Sequence, residues 1–521
     1  MAAQDDMRFE RIVEALGEVG AYRDGAKPVE MRRTHISVVF LVGSHVYKLK
    51  RPVKLDFLDY SSPDLRRRFC EEEVRLNRRL APDVYEGVVP IVRRGNGVEV
   101  EGDGTPLEHA VKMRRLPDRA RLLEVIDRQE QPGTILDDLA TRLARFHAGA
   151  ARGAPIAAHG RFDAVVRLVR GNFEQSTDHV GSTVDPEVFR RLRGLSEAEL
   201  ERRRDRIEAR AARGMPCDGH GDLRLEHVYR IDGHFAIIDC IEFNERFRHA
   251  DPVADTAFLT MDLAFRGYRD LARRFQGAYT SASGDEEGDD LFPLYTAYRA
   301  AVRAKVQGIK QAQESLPAEE RRAARERARA FWLLALDVLE PPRRRPALLL
   351  MGGLPGTGKT TLARGLGDKA GFSLVRTDRV RREIAGDVSD PYTERQIERT
   401  YDACLDRARD RLLEGERVIV DATFRSERHR VRFLEAARRL AVRSAWLFCE
   451  TQPEVARRRL RDRSGDLSEA DRAVYRRLAE TWEPPGELVR EHTDRIPAGG
   501  GRDETLRAGL EALRHRGLLE A

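Results

Sequence analysis

The chain predicts two domains of different class, an α+β domain followed by an α/β domain whose parallel sheet is covered by helices on both faces. Three observations carry that expectation. The length, 521 residues, exceeds what one ordinary core accommodates. The run Glu340-Pro341-Pro342-Arg343-Arg344-Arg345-Pro346 interrupts helical patterning with prolines and like charges, which places a linker at 340–346 between domains at 1–339 and 347–521. After that break strands and helices alternate, whereas antiparallel hairpin signals lie before it.

Composition narrows the partners. Charged residues make up 35% of the chain, yet Lys plus Arg exceed Asp plus Glu only by 93 to 87, a solvated arginine-rich surface and not a dedicated nucleic-acid footprint. Arg343 to Arg345 read as linker and Arg457 to Arg459 as a solvated helix face. The 5 cysteines, at 70, 217, 240, 404 and 449, lack the spacing of a disulfide framework or a zinc site. The N-terminus is polar and no apolar run reaches the length needed to span a bilayer, so a cytoplasmic protein is expected.

In the second domain, strands are expected at Ala347 to Met351, Ser373 to Arg376, Arg417 to Asp421 and Arg443 to Cys449. Between the second and third, Ile397, Tyr401, Leu405, Ala408 and Leu412 recur at helical steps. Directly after the first strand stands Gly353-Leu354-Pro355-Gly356-Thr357-Gly358-Lys359-Thr360, which fits the phosphate-binding P-loop pattern without a mismatch and opens a helix. In such a loop the glycines let consecutive N–H groups face a nucleotide's phosphates, the lysine reaches the terminal phosphates and the hydroxyl holds Mg²⁺. Gly353, Gly356, Thr357, Gly358, Lys359, Thr360 and Thr361 are therefore the expected ATP contacts, with Thr360 at the metal. Asp421 closes the third strand and Asp378 follows the second, both at ends that face a ligand crevice. Asp421 could hold hydrated Mg²⁺ and Asp378 could accept a hydroxyl proton, although an Asp opening such a turn also caps helices. The helix Arg457 to Arg463 runs into the polar segment Ser464 to Ser468, which suits a lid; Arg459 and Arg463 share one face of it.

From about Arg343 onward the chain resembles the small P-loop kinases grouped with gluconate kinase, the zeta toxins and the polynucleotide kinase domains. The likeness rests on the P-loop, on Thr377-Asp378-Arg379 with Arg382 close behind, on Val420-Asp421-Ala422-Thr423 and on the arginine-rich lid. It implies that Asp378 serves as base for a hydroxyl acceptor.

The first domain carries a second signal. His220-Gly221-Asp222-Leu223-Arg224-Leu225-Glu226-His227 precedes two apolar runs joined by Asp232-Gly233, a two-residue hairpin that pairs 231 with 234 and brings Asp239 beside Glu226 and His227. Upstream, Ser37 to Val42 and His45 to Lys50 form a hairpin around Gly43-Ser44 with Lys48 and Lys50 on one face. Lys48 is favoured for ATP phosphates, with Glu73 of a nearby acidic helix to fix it. Val111 to Leu116, with Met113, reads as a hinge strand offering backbone groups to an adenine, and the acidic stretch Ser281 to Asp290 reads as a surface loop.

From roughly Val29 to Leu339 the chain resembles the aminoglycoside phosphotransferase family. That likeness implies that Asp222 orients and deprotonates an acceptor hydroxyl and that Asp239 binds Mg²⁺. The family's motif has Asn where His227 stands, which puts His227 beside Asp239 among the candidate metal ligands, but an imidazole is a poor ligand for a cation that prefers oxygen, so either Glu226, Glu242 or a water supplies the missing donor or this site turns over weakly. Leu139 to His147 and Asp251-Pro252-Val253-Ala254-Asp255 resemble helical elements of the same family, with Asp251 structural.

The whole order resembles bacterial proteins described as bifunctional aminoglycoside phosphotransferase and ATP-binding proteins. It implies an α+β protein-kinase-like bilobal domain followed by an α/β P-loop NTPase domain, acting with ATP and Mg²⁺ on a small-molecule hydroxyl at one or both sites. Two other readings stand beside it: a nucleotide-binding sensor in the first domain, for which position 227 is the discriminating feature, and a nucleic-acid 5′-hydroxyl kinase, against which the modest net charge argues.

Overall fold

A computed structural model describes residues 2–22, 28–55, 58–128, 131–384, 393–464 and 469–520, without the side chains of 2–6, 463–464 and 469–474. The chain divides into two compact units, one of Met1–Val166, Arg203–Leu263 and Tyr268–Phe292, the other of Arg167–Arg202, Ala264–Gly267 and Pro293–Ala521. Among the described residues no helix is long and apolar enough to cross a membrane.

After helix Ala2–Leu16 the first unit forms an antiparallel sheet in the order Val29–Arg33, Ser37–Val42, His45–Lys50, Pro106–Arg114, Tyr85–Arg94, Gly97–Val100. Val42 pairs with His45 across the expected turn, where Gly43 adopts φ 58°. Helix Pro63–Asn77 starts where Ser62 accepts a hydrogen bond from the Leu65 N–H and Pro63 presets the first turn. Its inward stripe buries Arg66, Cys70, Glu73, Val74 and Asn77, so the helix carries a carboxylate inside as part of its packing face. Asn77 Oδ1 accepts from the Cys240 N–H at 2.9 Å, which ties this helix to the chain just past Asp239. The hairpin Val228–Ile231 and His234–Ile237 has the register expected of Asp232-Gly233, with Ile231 opposite His234 and both turn residues at positive φ.

The acidic stretch at 281–290 lies on the surface as expected, but it is largely helical and not a loop. Helix Arg269–Ser283 ends on Gly284 in the left-handed conformation, and helix Glu286–Asp289 follows, capped by Asp285. The anchor lies far away in sequence: Arg210, buried, donates to Asp285 at 2.6 Å and to Asp251 at 2.6 and 3.0 Å, so the turn at Asp285 is pinned by a guanidinium that needs a carboxylate.

The second unit holds a parallel sheet in the order Ser373–Arg376, Arg417–Asp421, Ala347–Gly352, Arg443–Glu450, Thr493–Pro497. Every residue of the central strand Ala347–Gly352 is buried, as a strand covered on both faces requires. Four of these strands match the sequence expectation. Thr493–Pro497 escaped it because a polar five-residue strand with one buried side chain, Ile496, shows no apolar period. Helices Pro186–Arg202 and Ala318–Leu339 pack within this unit: Arg191 donates to Glu340 at 2.9 Å and to the Gly415 carbonyl at 3.2 Å, and Arg443 donates to the buried Asp337 at 2.9 Å.

Replacing Arg210 by Ala leaves two carboxylates inside without their cation, for which a cost of about 3–5 kcal/mol is expected. Thermal or urea unfolding of the full chain should show a marked drop in the midpoint of one transition; an unchanged midpoint would show that the arginine is not the anchor of 281–290.

Candidate active sites

In the first unit, Lys48 Nζ lies 2.8 Å from Glu73 Oε1 and 2.8 Å from Asp239 Oδ1. Burial alone would lower the pKa of this ammonium, but Asp239 and then Glu73 outweigh it and hold it well above the usual lysine value. Burial likewise pushes Asp239 up, and Lys48 and His227 overcome it, leaving the carboxyl below the ordinary range. Asp239 sits at φ 63°, an uncommon conformation for a residue with a side chain. Lys50 turns elsewhere: it donates to the other Glu73 oxygen at 2.7 Å and to Glu242, which also accepts from Tyr60. Met113 is flanked on both sides, opposite Val46 and Tyr85, so the backbone leaves the sheet only after Arg114 and Arg115, whose N–H groups bond Val84 and Ser44. The chain thus leaves the sheet within the expected hinge segment 111–116, past Met113 itself.

The loop with Asp222 is held from beneath by Asp255, whose carboxylate accepts from the His220 N–H at 2.7 Å, the Gly221 N–H at 2.8 Å and His147 Nε2 at 3.2 Å. Burial lowers the His220 pKa to about 4, so the ring is neutral at pH 7. Its Nε2–H donates to the Ile238 carbonyl at 3.0 Å, which leaves Nδ1 to accept from the Asp222 N–H at 3.3 Å. His227 Nδ1 lies 2.9 Å from the Asp222 carbonyl and must donate there; its Nε2 then accepts from Arg224 at 2.9 Å and stands 3.8 Å from Asp239. With both nitrogens engaged, His227 has no lone pair to offer a metal in this arrangement, contrary to its place among the expected ligands. Arg224 also bonds Asp222 at 3.1 Å and Glu226. Of the substitutes considered for the missing oxygen, Glu226 is held by Arg224 and Glu242 by Lys50 and Tyr60.

In the second unit the P-loop connects the central strand to helix Lys359–Ala370. Gly353 (φ 137°) and Gly356 (φ 79°) adopt conformations open to glycine, and a Cβ there would stand 2.7 Å from the Cys449 carbonyl and 2.5 Å from the Ala456 carbonyl, so the loop wall admits backbone only. Thr357 Oγ1 and Lys359 Nζ each donate to the Leu354 carbonyl at 2.8 Å. Thr360 Oγ1 donates to Asp421 Oδ2 at 2.7 Å, while Thr361 is exposed. Burial pushes Asp421 above the usual aspartate value against the opposing pull of Thr360, Lys359 and Arg376. Arg376 stands between two carboxylates, 2.7 Å from Asp378 and 3.7 Å from Asp421. Arg459 donates to the carbonyls of Ala498 at 2.6 Å and Gly500 at 2.9 Å, and its Nη1 lies 3.7 Å from the position of a Cβ on Gly358. It sits beside the loop, spent on backbone carbonyls. The side chain of Arg463 and residues 465–468 of the expected lid lie outside the described residues.

A family model described as Phosphotransferase enzyme family matches residues 53–300, and one described as AAA domain matches 348–485. Uncharacterized proteins of Mycobacterium tuberculosis (strain ATCC 25618 / H37Rv) and Mycobacterium bovis (strain ATCC BAA-935 / AF2122/97) are each 33% identical over 465 residues, 87% of this chain and 89% of theirs. The chain belongs to this phosphotransferase and P-loop family. Among solved structures, a gluconokinase from Sinorhizobium meliloti 1021 aligns with TM-score 0.28 and 20% identity over 33% of this chain and 94% of its own. A choline/ethanolamine kinase family protein from Mesorhizobium loti aligns with TM-score 0.37 and 13% identity over 63% and 98%. The paired domains make the family member an enzyme of kinase-type phosphoryl transfer.

Two residues of this phosphotransferase escaped the sequence reading. Asp255 was seen only as part of a helical element, and what marks it is a contact reaching 35 residues back to the backbone of His220, which no spacing rule supplies. Arg376 could have been found, since it ends the second strand of the parallel sheet, where side chains meet the crevice.

Asp421 must be ionised to hold a cation, and its raised pKa means that it takes up a proton at a higher pH than an ordinary aspartate. Mg²⁺-dependent nucleotide affinity should therefore weaken as pH falls, beginning above the usual aspartate range, and Asp421→Asn should remove that part of the profile. Titrations with a fluorescent ATP analogue across the acid range test this; coincident profiles for the two proteins would contradict it.

Proposed function

We propose that the chain is an ATP-dependent kinase that transfers the γ-phosphoryl group to a hydroxyl of a small molecule, with the reaction at the P-loop and a second nucleotide pocket at Lys48, Glu73 and Asp239. The observation that carries this reading is the pairing of Thr360 with Asp421 directly beneath a glycine loop that excludes side chains. Hydroxyl and carboxylate oxygens are the hard donors that Mg²⁺ takes, so Thr360 and Asp421 fit that ion, which when bound would offset charge on the phosphates. Backbone N–H groups of the loop cradle the nucleotide, and Lys359 exchanges the Leu354 carbonyl for the terminal phosphates. Asp378, half-exposed and oriented by Arg376, takes the proton of the acceptor hydroxyl as the new P–O bond forms and the bond to ADP breaks. Five buried cysteines, none in a disulfide, fit a reducing cytoplasmic compartment.

One observation favours a second reading of the first unit, as a pocket that binds nucleotide without turnover. Arg224 lies against Asp222, where the family's motif implies a base, and occupies the lone pair of His227, so position 227 offers no ligand in place of the motif's Asn.

Incubating the full chain with γ-labelled ATP, Mg²⁺ and a panel of sugars, aminoglycosides, nucleosides and oligonucleotides tests the proposal. Label on one class of small hydroxyl compound is expected; label on oligonucleotide 5′ ends alone would overturn it. With the acceptor in hand, Asp378→Asn should lower transfer on the order of 10²- to 10⁴-fold, the usual worth of a general base, while ATP affinity stays within about twofold. Equal losses in both would reassign Asp378 to structure.

A further inference from the structure

Away from both phosphate sites, His159, Glu245 and His249 each bring one potential ligand atom within 4.8 Å of the others, the one such trio among the described residues. They come from three separate elements. His159 ends helix Ala154–His159, Glu245 opens the 3₁₀ turn Glu245–Phe247, and His249 lies on the short strand His249–Ala250, paired antiparallel with Cys217–Asp218. The two imidazole rings lie with centroids 5.5 Å apart and planes inclined at 55°. Among the described residues no hydrogen bond joins the three, two of which are partly buried, and one shared cation would engage all of them.

The donor set identifies the partner. Two imidazoles and one carboxylate match the ligands of a borderline-soft dication such as Zn²⁺ and not of Mg²⁺, which takes oxygen. Asp218 Oδ1 lies 3.8 Å from His249 Nε2, beyond hydrogen-bond range but near enough to add negative charge beside the set. The nearby Arg248 does not oppose a cation with an unbalanced charge, since its guanidinium is 2.5 Å from Asp218 and 3.6 Å from Glu72. Ligands about 2.0–2.1 Å from a tetrahedral ion stand roughly 3.3 Å apart, so the trio needs only side-chain rotation to close.

We infer that His159, Glu245 and His249 form a binding site for one transition-metal dication of the Zn²⁺ class, which fastens the segment Glu245–His249 to helix Ala154–His159 beside the loop carrying Asp222. The connection to that loop is direct. The Gly219 N–H donates to the Arg248 carbonyl at 2.9 Å, and the Phe247 carbonyl packs 3.0 Å from where a Cβ on Gly221 would be. On the other side, the Asp218 N–H donates to the Ala151 carbonyl at 2.9 Å, just before the helix that ends in His159. An ion at the trio therefore braces both flanks of the strand that leads into His220-Gly221-Asp222.

The test uses the full chain, stripped of metal with a chelator and titrated with Zn²⁺ against a chromophoric competitor, with Co²⁺ absorption as a second readout. One Zn²⁺ equivalent that persists in Asp239→Ala is expected, together with a visible Co²⁺ band of low-coordinate nitrogen ligation. His159→Ala, His249→Ala and Glu245→Gln should each weaken Zn²⁺ binding at least about tenfold and lose the band. Zn²⁺ should also raise the Tm of the wild type and not of His249→Ala. The inference falls if the wild type takes up no ion beyond what Asp239→Ala loses, or if folded Glu245→Gln, altered at an exposed position, binds as tightly as the wild type.

Discussion

A buried carboxylate is costly unless charge or hydrogen bonds meet it, and both halves of this chain hold one, Glu73 in the first unit and Asp421 in the second. In the first unit the answer is an alternating line of charge: Asp239, Lys48, Glu73, Lys50 and Glu242, each bonded to the next. Glu73 can be fully buried only because it has a lysine on each oxygen. That line locks the register of strand His45–Lys50 to helix Pro63–Asn77 and to the chain past the hairpin. Loss of any member strands its neighbours.

The second unit answers the same constraint differently. Asp421 is met by the Thr360 hydroxyl and only at 3.7 Å by Arg376, so its ionised form is under-compensated and its pKa rises. A dication arriving there gains what the protein leaves unsupplied. At Asp239 an incoming cation must instead compete with Lys48, which already holds the carboxylate ionised. The crevice around Asp222 is further occupied by Arg224. This difference in electrostatic preparation is the physical ground for our proposal that the reaction runs at the P-loop.

What was legible in the sequence is what local rules decide. The P-loop, four parallel strands, the Asp232-Gly233 hairpin and the pairing of Lys48 with a glutamate of the acidic helix follow from glycine conformation, period and turn chemistry. What was not legible depends on partners distant in the chain. The stretch 281–290 has the composition of a loop and is largely helical, its turn at Asp285 pinned by Arg210. His227 was weighed as a ligand by its element preferences, but its availability turns on Arg224 and on which nitrogen the Asp222 carbonyl takes. Asp255 has no local signature, since its task is to accept two backbone N–H groups of another segment.

The most direct test of the central claim is turnover of γ-labelled ATP by the intact chain compared with Lys359→Ala and Lys48→Ala. Removing a charge that meets the transferring phosphoryl group costs on the order of a hundredfold or more. The account predicts such a loss for Lys359→Ala, with most turnover kept in Lys48→Ala. Unchanged turnover in a folded Lys359→Ala protein, with the loss appearing in Lys48→Ala instead, would contradict it.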